Sequence, residues 1–344
     1  MKRIRTLLVG YGYWGPNLAR NIVLNPSFEL IGVIDQSGSR RDLASNSLKV
    51  QTYARHQDVA DSLGIDLVVI CTRPGTHLEI GSYFISRSIN VLITKPCGLS
   101  SIEASYLNKL AIQHKVKALC DFTYHFSPII AFLLENSRAT RVIQSMREYT
   151  SYRTSLGIVQ SDVDVVADLG VHDIYILLLL KSTLPKTVSG LKTNSDHHDR
   201  THSAVLILTW SDGFRATIHV SWNSPKKVRL ISIAGEFEGI ILEEMNRESP
   251  IQLISFEPVG NSYEALAPVD KHSQNVSFSM GKVEIPKILM HESLALEIEL
   301  VGKSINRIEL DQNLPTLASA AEVWKVVEAL QNSIALGGVQ QNVD

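Results

Sequence analysis

The chain has 344 residues, of which 44% are hydrophobic, and this is enough to bury large cores in about two domains. Its 33 basic and 35 acidic residues leave a net charge of −2, which excludes the strongly basic surface that binds nucleic acid or anionic membranes. No run reaches the roughly 18 apolar residues of a membrane span. The basic N-terminus meets a glycine-rich turn in place of a signal-peptide cleavage site. We therefore expect a globular protein with no nucleic-acid or membrane partner.

The three cysteines indicate the compartment. Cys71, Cys97 and Cys120 lie in apolar surroundings and lack the spacing of a zinc site. An odd number of buried cysteines is typical of reduced thiols, so we expect a cytoplasmic protein. The run DHHDRTH, with His197, His198 and His202, falls between predicted strands and is interpreted as a solvated loop. We expect no metal.

The first third of the chain alternates short apolar runs with segments of helical pattern. The runs are RTLLVG, FELIGVID, VQTYA, DLVVICT, NVLITKP and VKALCDFT. Buried parallel strands have this composition, and parallel neighbours need crossover helices between them. We predict a doubly wound parallel sheet over residues 1–122.

The pattern changes from about Thr123. A helix is predicted over Pro128 to Glu135, followed by the strand-like run VIQSMREYTSYRTS and an apolar helix from Val163 to Lys181. The next runs alternate, as an antiparallel sheet with one buried face does, and they are TVSGLKTN, HSAVLILTW, FRATIHVSW, KVRLISIAG and GIILEE. Two helices follow, near Met290 to Ile305 and Pro315 to Leu336. We predict an α/β domain over residues 123–344 with a large, open, mainly antiparallel sheet, and a ligand cleft between the two domains.

The stretch LLVGYGYWGPNLARN fits a dinucleotide-binding turn. Gly10 permits the tight turn, Gly12 lets the backbone approach a pyrophosphate, and Gly15 lets the following helix pack near the strand. The helix N-terminus then presents its amides to the phosphates. Since the stretch follows a predicted strand and opens a helix, the first domain is predicted to be a Rossmann domain. A structural turn without ligand is the alternative.

Asp35 ends the next predicted strand, about 20 residues after the turn, where an acidic residue binds the ribose hydroxyls of NAD. Its charge would repel the 2′-phosphate of NADP. The sequence therefore predicts NAD as cofactor. Arg40 and Arg41 leave NADP open as an alternative, because a nearby arginine can bind that phosphate.

Lys95 follows a buried strand in VLITKPCG. Ligands of doubly wound sheets bind outside the carboxyl ends of the strands, so its ammonium is placed at the cofactor crevice. There it can polarise a substrate hydroxyl or carbonyl. A solvated loop lysine is the alternative.

Asp168, His172 and Tyr175 lie in the apolar helix DVVADLGVHDIYILLLLK and, at α-helical spacing, share one face. A buried carboxylate and imidazole need partners or a polar cavity. Histidine can accept and return a proton near neutral pH. The alternative is that Asp168 and His172 form hydrogen bonds with each other and bind no ligand.

These motifs together resemble the glucose-fructose oxidoreductase, inositol dehydrogenase and MocA family. The resemblance rests on VGYGYWGPNLARN, ICTRPGTHLEI, ITKPCG, DFTYHFSP and DLGVHDIYILLLL, whose order and spacing cover most of the chain. GYWGPNLARN and SYRTSLGIVQSDVDVVADLGVHDI are most similar to the branch that acts on nucleotide sugars, which includes UDP-N-acetylglucosamine 3-dehydrogenases. The resemblance implies a Rossmann domain, a substrate domain whose open sheet supports homodimers or homotetramers, and hydride transfer between nicotinamide and a sugar carbon.

The resemblance also implies roles for particular residues. Lys95 matches the catalytic lysine, His172 the proton acceptor and Asp168 the carboxylate one turn earlier. The cofactor would contact Asp35 and residues of the motifs quoted above. These residues are Gly10, Gly12, Tyr13, Trp14, Gly15, Thr72, Pro74, His77, Thr94, Lys95 and Thr123. The substrate would contact Lys95, Arg153, Asp168, His172 and Tyr175.

Several positions depart from the family pattern. Asp121 and Phe122 begin a stretch that usually reads GHT. Thr94 replaces the usual glutamate before the catalytic lysine, so a charged contact near the nicotinamide ribose is missing. Ser155 and Asp164 replace two asparagines of the nucleotide-sugar branch. The reaction class is therefore better supported than the identity of the sugar.

The leading hypothesis is an NAD-dependent oxidoreductase that acts on a secondary alcohol of a sugar, at C3 of a nucleotide sugar. A ketosugar reductase or an inositol dehydrogenase of the same family is the first alternative. A dinucleotide-binding regulator without turnover is an alternative of another class, which Thr94 keeps open and which the presence of Lys95, Asp168 and His172 disfavours.

Overall fold

The N-terminal part of the chain forms a six-stranded parallel sheet. The computed structural model describes residues 2–259, 277–306 and 314–343. The strands of this first sheet are β1 (Ile4–Val9), β2 (Phe28–Ile34), β3 (Gln51–Tyr53), β4 (Leu67–Ile70), β5 (Asn90–Thr94) and β6 (Ala118–Asp121). Their order is β3-β2-β1-β4-β5-β6, and every neighbouring pair is parallel. The strand order reverses between β1 and β4, where doubly wound sheets bind their ligands.

Four helices connect these strands, and they are α1 (Gly15–Leu24), α2 (Gly38–Leu48), α3 (His77–Ile85) and α4 (Ser101–His114). The interiors of β4 and β5 are apolar and buried, as the continuous Val, Ile and Leu runs predict for a sheet covered on both faces. The predicted doubly wound parallel sheet is confirmed.

Within the described residues, the second sheet has nine strands and is antiparallel except at one pair. Its strands are β7 (Glu148–Leu156), β8 (Thr187–Ser195), β9 (Thr201–Thr209), β10 (Arg215–Ser221), β11 (Asn223–Ala234), β12 (Glu238–Glu243), β13 (Ile251–Val259), β14 (Ser277–Glu284) and β15 (Gln341–Asn342). Their order is β14-β13-β12-β11-β7-β10-β9-β8-β15, and only β7 and β10 run parallel. The predicted large, mainly antiparallel sheet is confirmed.

The helices of the second part are α5 (Pro128–Glu135), α6 (Ser137–Gln144), α7 (Val171–Lys181), α8 (Ser293–Ile305) and α9 (Leu317–Ala335). A π-helical turn, Val166–Gly170, precedes α7. The apolar helix predicted from Val163 to Lys181 is thus divided, and the π-helical turn rotates the residues after it relative to a continuous α-helix.

The prediction of a strand beginning at Val142 is wrong, because this residue lies in α6 and β7 begins at Glu148. The Asn136 side chain caps α6 by accepting hydrogen bonds from the amides of Arg138 and Ala139 at 3.0 Å each. The apolar positions of α6 bury one face of the helix. The β-branched residues of this stretch favour a strand, but the N-cap and the helical spacing of its apolar residues favour a helix, and the stretch is helical.

Helix α8 packs against the first sheet, and helix α9 contacts both sheets. In α8, Gly302 lies so close to Phe28 of β2 that an added Cβ would be 2.8 Å from its ring. In α9, the indole of Trp324 donates to the carbonyl of Pro96 at 2.6 Å, while Gly190 of β8 packs against Ile334 at the far end of the helix. The division at residue 122 stays a prediction, and these helices contact elements on both sides of it.

Candidate active site

One large cavity opens between the two sheets. Its volume is about 1580 Å³, and both sheets contribute to its lining. From the first part of the chain it is lined by Gly10, Gly12, Tyr13, Trp14, Asp35, Thr72, Pro74, Thr94, Lys95 and Thr123, and from the second by Asp168 and His172. Most of the residues that the sequence predicts for the site therefore meet in one place.

The glycine turn has the geometry of a phosphate-binding loop. Gly10 has φ +96, and a Cβ there would lie 2.4 Å from the carbonyl oxygen of Cys71. A Cβ on Gly15 would lie 2.5 Å from the carbonyl oxygen of Gly10. Both positions require glycine for close backbone packing. Gly12 meets no backbone and faces the cavity, so a pyrophosphate could approach it beside the N-terminus of α1.

Asp35 stands at the end of β2 with its carboxylate held by two amides. Oδ2 accepts from the amide of Tyr11 and Oδ1 from the amide of Ser37, each at 2.8 Å. Each oxygen keeps a second lone pair for a ribose hydroxyl. The Arg41 guanidinium donates to the carbonyls of Asp35 and Gln36. The turn and this carboxylate fit the pyrophosphate and ribose of a dinucleotide.

Asp121, at the end of β6, fixes two further residues of the cavity. Its Oδ2 accepts from Trp14 Nε1 at 3.2 Å and its Oδ1 from Thr123 Oγ1 at 2.6 Å. Trp14 is thereby tied to the far edge of the first sheet, while the neighbouring Tyr13 remains 82% exposed. The two aromatic residues of the glycine turn therefore differ. The Trp14 ring is hydrogen-bonded to Asp121, whereas the Tyr13 ring faces solvent.

Lys95 is held by Asp168 across the cavity. The Lys95 ammonium donates to the Asp168 backbone carbonyl at 2.7 Å and to its Oδ1 at 2.9 Å. Asp168 Oδ2 accepts from the indole of Trp222 at 2.8 Å. Both carboxylate oxygens are therefore used, and the ammonium keeps one N–H for a ligand in the cavity.

His172 lies one helical turn beyond Asp168 and contributes its ring to the cavity wall. Its Nδ1 is buried and has no hydrogen-bond partner among the described residues, and the ring packs edge-on to Tyr124 at 5.0 Å between centroids. Burial, together with the positive charges of Lys95, Arg153 and Arg229, holds the pKa of His172 well below its ordinary range. The imidazole is therefore neutral near pH 7, which is the form that accepts a proton.

Two family models match the sequence. An oxidoreductase family with an NAD-binding Rossmann fold matches residues 4–122, and the C-terminal domain of the GFO/IDH/MocA group matches residues 159–240. The chain belongs to the GFO/IDH/MocA oxidoreductase family. It is therefore an NAD-binding oxidoreductase, as the glycine turn and Asp35 predict.

Several characterised proteins are similar to this family member. Rhizopine catabolism protein MocA from Rhizobium meliloti is 31% identical over 140 residues, which are 40% of this chain and 44% of that protein. UDP-N-acetylglucosamine 3-dehydrogenase from Acidithiobacillus ferrooxidans is 25% identical over 64% of this chain and 68% of its own length. The solved structure of the latter superposes with a TM-score of 0.78 at 18% identity, covering 98% of this chain and 99% of that one.

A second solved structure is the WlbA dehydrogenase from Bordetella pertussis in complex with NADH and UDP-GlcNAcA. It has a TM-score of 0.77 at 13% identity and covers 100% of this chain and 98% of its own. At these identities, the structural likenesses establish the fold that the GFO/IDH/MocA assignment implies.

His77, predicted to contact the cofactor, is fully buried behind the cavity wall and does not line it. Its Nδ1 accepts from the amide of Gly98 at 3.2 Å, so Nε2 donates to the carbonyl of Thr72 at 3.1 Å. His77 thus ties the turn after β4 to the turn that carries Lys95. Burial lowers the pKa of His77 to about 4.

Arg153, predicted to contact the substrate, is also buried and does not line the cavity. Its Nε donates to Asp173 Oδ2 at 2.5 Å, and a second guanidinium nitrogen donates to the Tyr124 hydroxyl at 2.5 Å. Arg153 therefore acts behind Tyr124, which does line the cavity. Asp173 is buried, and an unpaired carboxylate there would cost free energy of folding. It therefore forms an ion pair with the Arg153 guanidinium.

Tyr175 is placed away from the cavity. Its ring stacks on Phe122 at 4.1 Å, and its hydroxyl shares a hydrogen bond with His125 Nδ1 at 2.8 Å. The sequence predicts Tyr175 beside Asp168 and His172 as a substrate contact, but its ring packs on Phe122 and it does not line the cavity.

The sequence interpretation missed several residues of the cavity wall, which are Asp121, Tyr124, Trp222, Lys227, Arg229 and Glu244. Tyr124 and Asp121 stand in the quoted motif DFTYHFSP, which gave a signal for them. Lys227 and Arg229 lie in the run KVRLISIAG, and their place at the cavity depends on strand pairing. No cluster of three or more potential metal ligands occurs among the residues described, and none of the helices described is long and apolar enough to cross a membrane.

We predict that Asp35→Ala weakens NAD binding about 10–100-fold, the effect of losing charge-assisted hydrogen bonds, and raises the affinity for NADP relative to NAD. Arg40, whose guanidinium is 3.8 Å from Asp35, is the arginine available to a 2′-phosphate, because Arg41 is bound to carbonyls. Fluorescence titration with both cofactors measures the ratio. Asp42→Ala, an exposed change in the same helix, is the control. An unchanged NAD to NADP ratio in Asp35→Ala would contradict this assignment.

His77 should impose a pH dependence on stability. An unfolded histidine binds a proton at about pH 6.5, whereas the folded His77 has a pKa of about 4, so the stabilisation is complete above pH 6.5 and is lost as the pH falls towards 4. In urea unfolding at pH 7 and pH 5, the free energy of unfolding of the native chain should fall by about 2 kcal/mol more than that of His77→Gln. Equal pH dependence in the two proteins would show that His77 is not held neutral.

Proposed function

We propose that the protein transfers hydride between NAD and a secondary alcohol carbon of a sugar, at C3 of a nucleotide sugar. The single observation that carries this is the convergence of Lys95, Asp168 and His172 on one cavity with the dinucleotide turn. An alcohol oxidation needs a hydride acceptor, a group that stabilises the developing alkoxide and a base for the hydroxyl proton.

Lys95 is assigned to the substrate oxygen. Its ammonium is fixed by two hydrogen bonds to Asp168, and its remaining donor stabilises negative charge on an alcohol oxygen placed beside it. His172, neutral because of burial and the surrounding cations, accepts the hydroxyl proton. Bound NAD supplies the hydride acceptor. Asp168 is a positioning residue for Lys95 and, through Oδ2, for Trp222.

A nucleotide sugar is supported by the relatives and by the size of the cavity. UDP-N-acetylglucosamine 3-dehydrogenase matches the chain in sequence, and the WlbA dehydrogenase has the same fold with a UDP-sugar bound. The cavity of about 1580 Å³ has room for two nucleotide-sized ligands, since pockets for one drug-sized ligand are about 300–1,000 Å³. Ser155, which replaces a family asparagine, lines it, whereas Asp164 caps the π-helical turn through the Ala167 amide and does not.

We further propose that the protein is a cytoplasmic homo-oligomer. The free cysteines suit a reducing compartment. The outer face of the second sheet carries exposed apolar and aromatic side chains, which are Tyr152, Leu191 and Ile207. Tyr152 stacks on His219 at 4.5 Å on this face. A contiguous apolar sheet face is typical of a surface covered by a partner, and a second copy of the chain buries it against itself.

We expect Lys95→Ala and His172→Ala each to lower kcat about 10²–10⁴-fold, because each removes a group that acts on the reacting oxygen, with NAD affinity nearly intact. Reduction of NAD is followed with UDP-N-acetylglucosamine, other nucleotide sugars and inositols, and oxidation of NADH with the corresponding ketosugars. Lys109→Ala, on an exposed face of α4, is the control. Turnover like that of the native protein in either variant would remove that residue from the mechanism. If the folded protein binds NAD but shows no turnover in either direction, the alternative of a dinucleotide-binding regulator remains.

Ile207→Lys should dissociate the oligomer, because it places a charge in the centre of the proposed interface. Sedimentation velocity of the native protein should give a dimer or tetramer and that of the variant a smaller species. A native protein that sediments as a monomer would contradict the assembly and leave the proposed chemistry untouched.

A further inference from the structure

Two cations on β11 lie at the cavity wall that the second sheet provides. Lys227 and Arg229 both line the cavity, and neither is used by the chemistry assigned to Lys95, Asp168 and His172. Their strand contacts β7 in antiparallel register, which places Arg229 directly opposite Arg153. Like charges opposite each other on paired strands are unfavourable, so this arrangement needs compensation.

The carboxylates among the described residues neutralise these positive charges only in part. Asp173 is engaged by Arg153 through two guanidinium nitrogens. Glu244 accepts from the Tyr124 hydroxyl at 3.0 Å and lies 3.9 Å from Arg153. Arg153 and Arg229 are thus matched in number by these two carboxylates, and Lys227 on the same cavity wall adds a further positive charge. The region keeps a positive charge that an anionic ligand would neutralise.

The donors of Arg229 are only partly used. One terminal nitrogen of its guanidinium donates to the carbonyls of Thr154 and Val228 at 2.9 Å each, and this fixes the plane of the group at the cavity wall. A guanidinium has five N–H donors in a fork that suits a phosphate. Arg229 also contributes to the low pKa of His172, which places its charge near the reacting centre.

An apolar edge adjoins the cations. Leu156 is 78% exposed and Ile158 is 62% exposed, and both line the cavity. Leu156 is paired with Asn223 at the start of the strand that carries Lys227. Exposed apolar side chains beside paired cations suit a ligand with a flat apolar portion joined to a phosphate, and a small sugar acid has no such portion.

We propose that Lys227 and Arg229 bind the diphosphate of a nucleoside diphosphate portion of the substrate, with Leu156 and Ile158 against its base. This inference rests on the proposed function, because it places the recognition portion of the substrate beside the reacting centre. It makes Lys227 and Arg229 specificity-determining residues, and it identifies the substrate class as diphosphate-linked.

The test measures binding, so it needs no turnover. Isothermal titration calorimetry with UDP, uridine and glucuronate compares the native protein with Lys227→Met, Arg229→Met and the control Lys226→Met. Lys226 neighbours Lys227 on the same strand and does not line the cavity. We expect each of the first two variants to weaken UDP binding about 10–100-fold, the effect of losing hydrogen bonds to a charged group, and Lys226→Met to stay within about twofold of the native protein. Since Lys227 is exposed, its replacement tests the proposal even if Arg229→Met fails to fold.

Three outcomes would overturn the proposal: no UDP binding by the folded native protein, equal UDP affinity in Lys227→Met and Lys226→Met, or a dependence on Lys227 for glucuronate and not for UDP. The result also separates this inference from the proposed function. Lys227-dependent UDP binding without hydride transfer would refute only the chemistry, whereas turnover of a UDP-sugar with a KM unchanged in Lys227→Met would refute only the diphosphate assignment.

Discussion

The site depends on the carboxylate of Asp168, which joins three parts of the chain. It accepts from Lys95 at the end of β5 and from Trp222 just after β10, while its own backbone belongs to the π-helical turn before α7. One residue therefore links the first sheet, the second sheet and the helix that carries His172. Because both carboxylate oxygens and the backbone carbonyl are engaged, the ammonium has one position relative to the cavity. This preorganisation is what a group that stabilises developing charge requires.

Burial and the charges around His172 keep its ring neutral. Lys95, Arg153 and Arg229 all disfavour its protonated form, so the neutral ring is available near pH 7. The same positive potential favours negative charge on a substrate oxygen in the cavity. These cations therefore stabilise an alkoxide and keep His172 in its neutral form. Arg153 takes part without touching the cavity, held in place by Asp173.

Much of this arrangement is local in sequence and was therefore predictable. Gly15 is required by a backbone contact within one strand-turn-helix unit, Gly10 has a positive φ in the same turn, and Asp35 ends the next strand. Lys95 stands at a strand end, where topology alone places it at the ligand crevice. The same reasoning predicted both sheets, because a run buried on both faces and an alternating run have different compositions.

The failures have non-local causes. Tyr175 was placed by α-helical spacing, but its ring stacks on Phe122, which belongs to a distant part of the chain. Arg153 and His77 were assigned to ligands, yet Arg153 binds Asp173 and His77 accepts from the amide of Gly98, both outside the local segment. Arg229 reaches the wall because β11 pairs with β7, a contact between strands that are far apart in the chain. Periodicity and motif order carry no information on such pairings.

The most direct measurement of the central claim follows the hydrogen that is transferred. UDP-N-acetylglucosamine carrying deuterium at C3 is incubated with the protein and NAD, and the reduced cofactor is analysed by mass spectrometry. The account predicts NADH one mass unit heavier than with unlabelled sugar, formed by the native protein and at a greatly reduced rate by Lys95→Ala. Reduced cofactor that carries no deuterium, or no reduced cofactor from any nucleotide sugar, would contradict it.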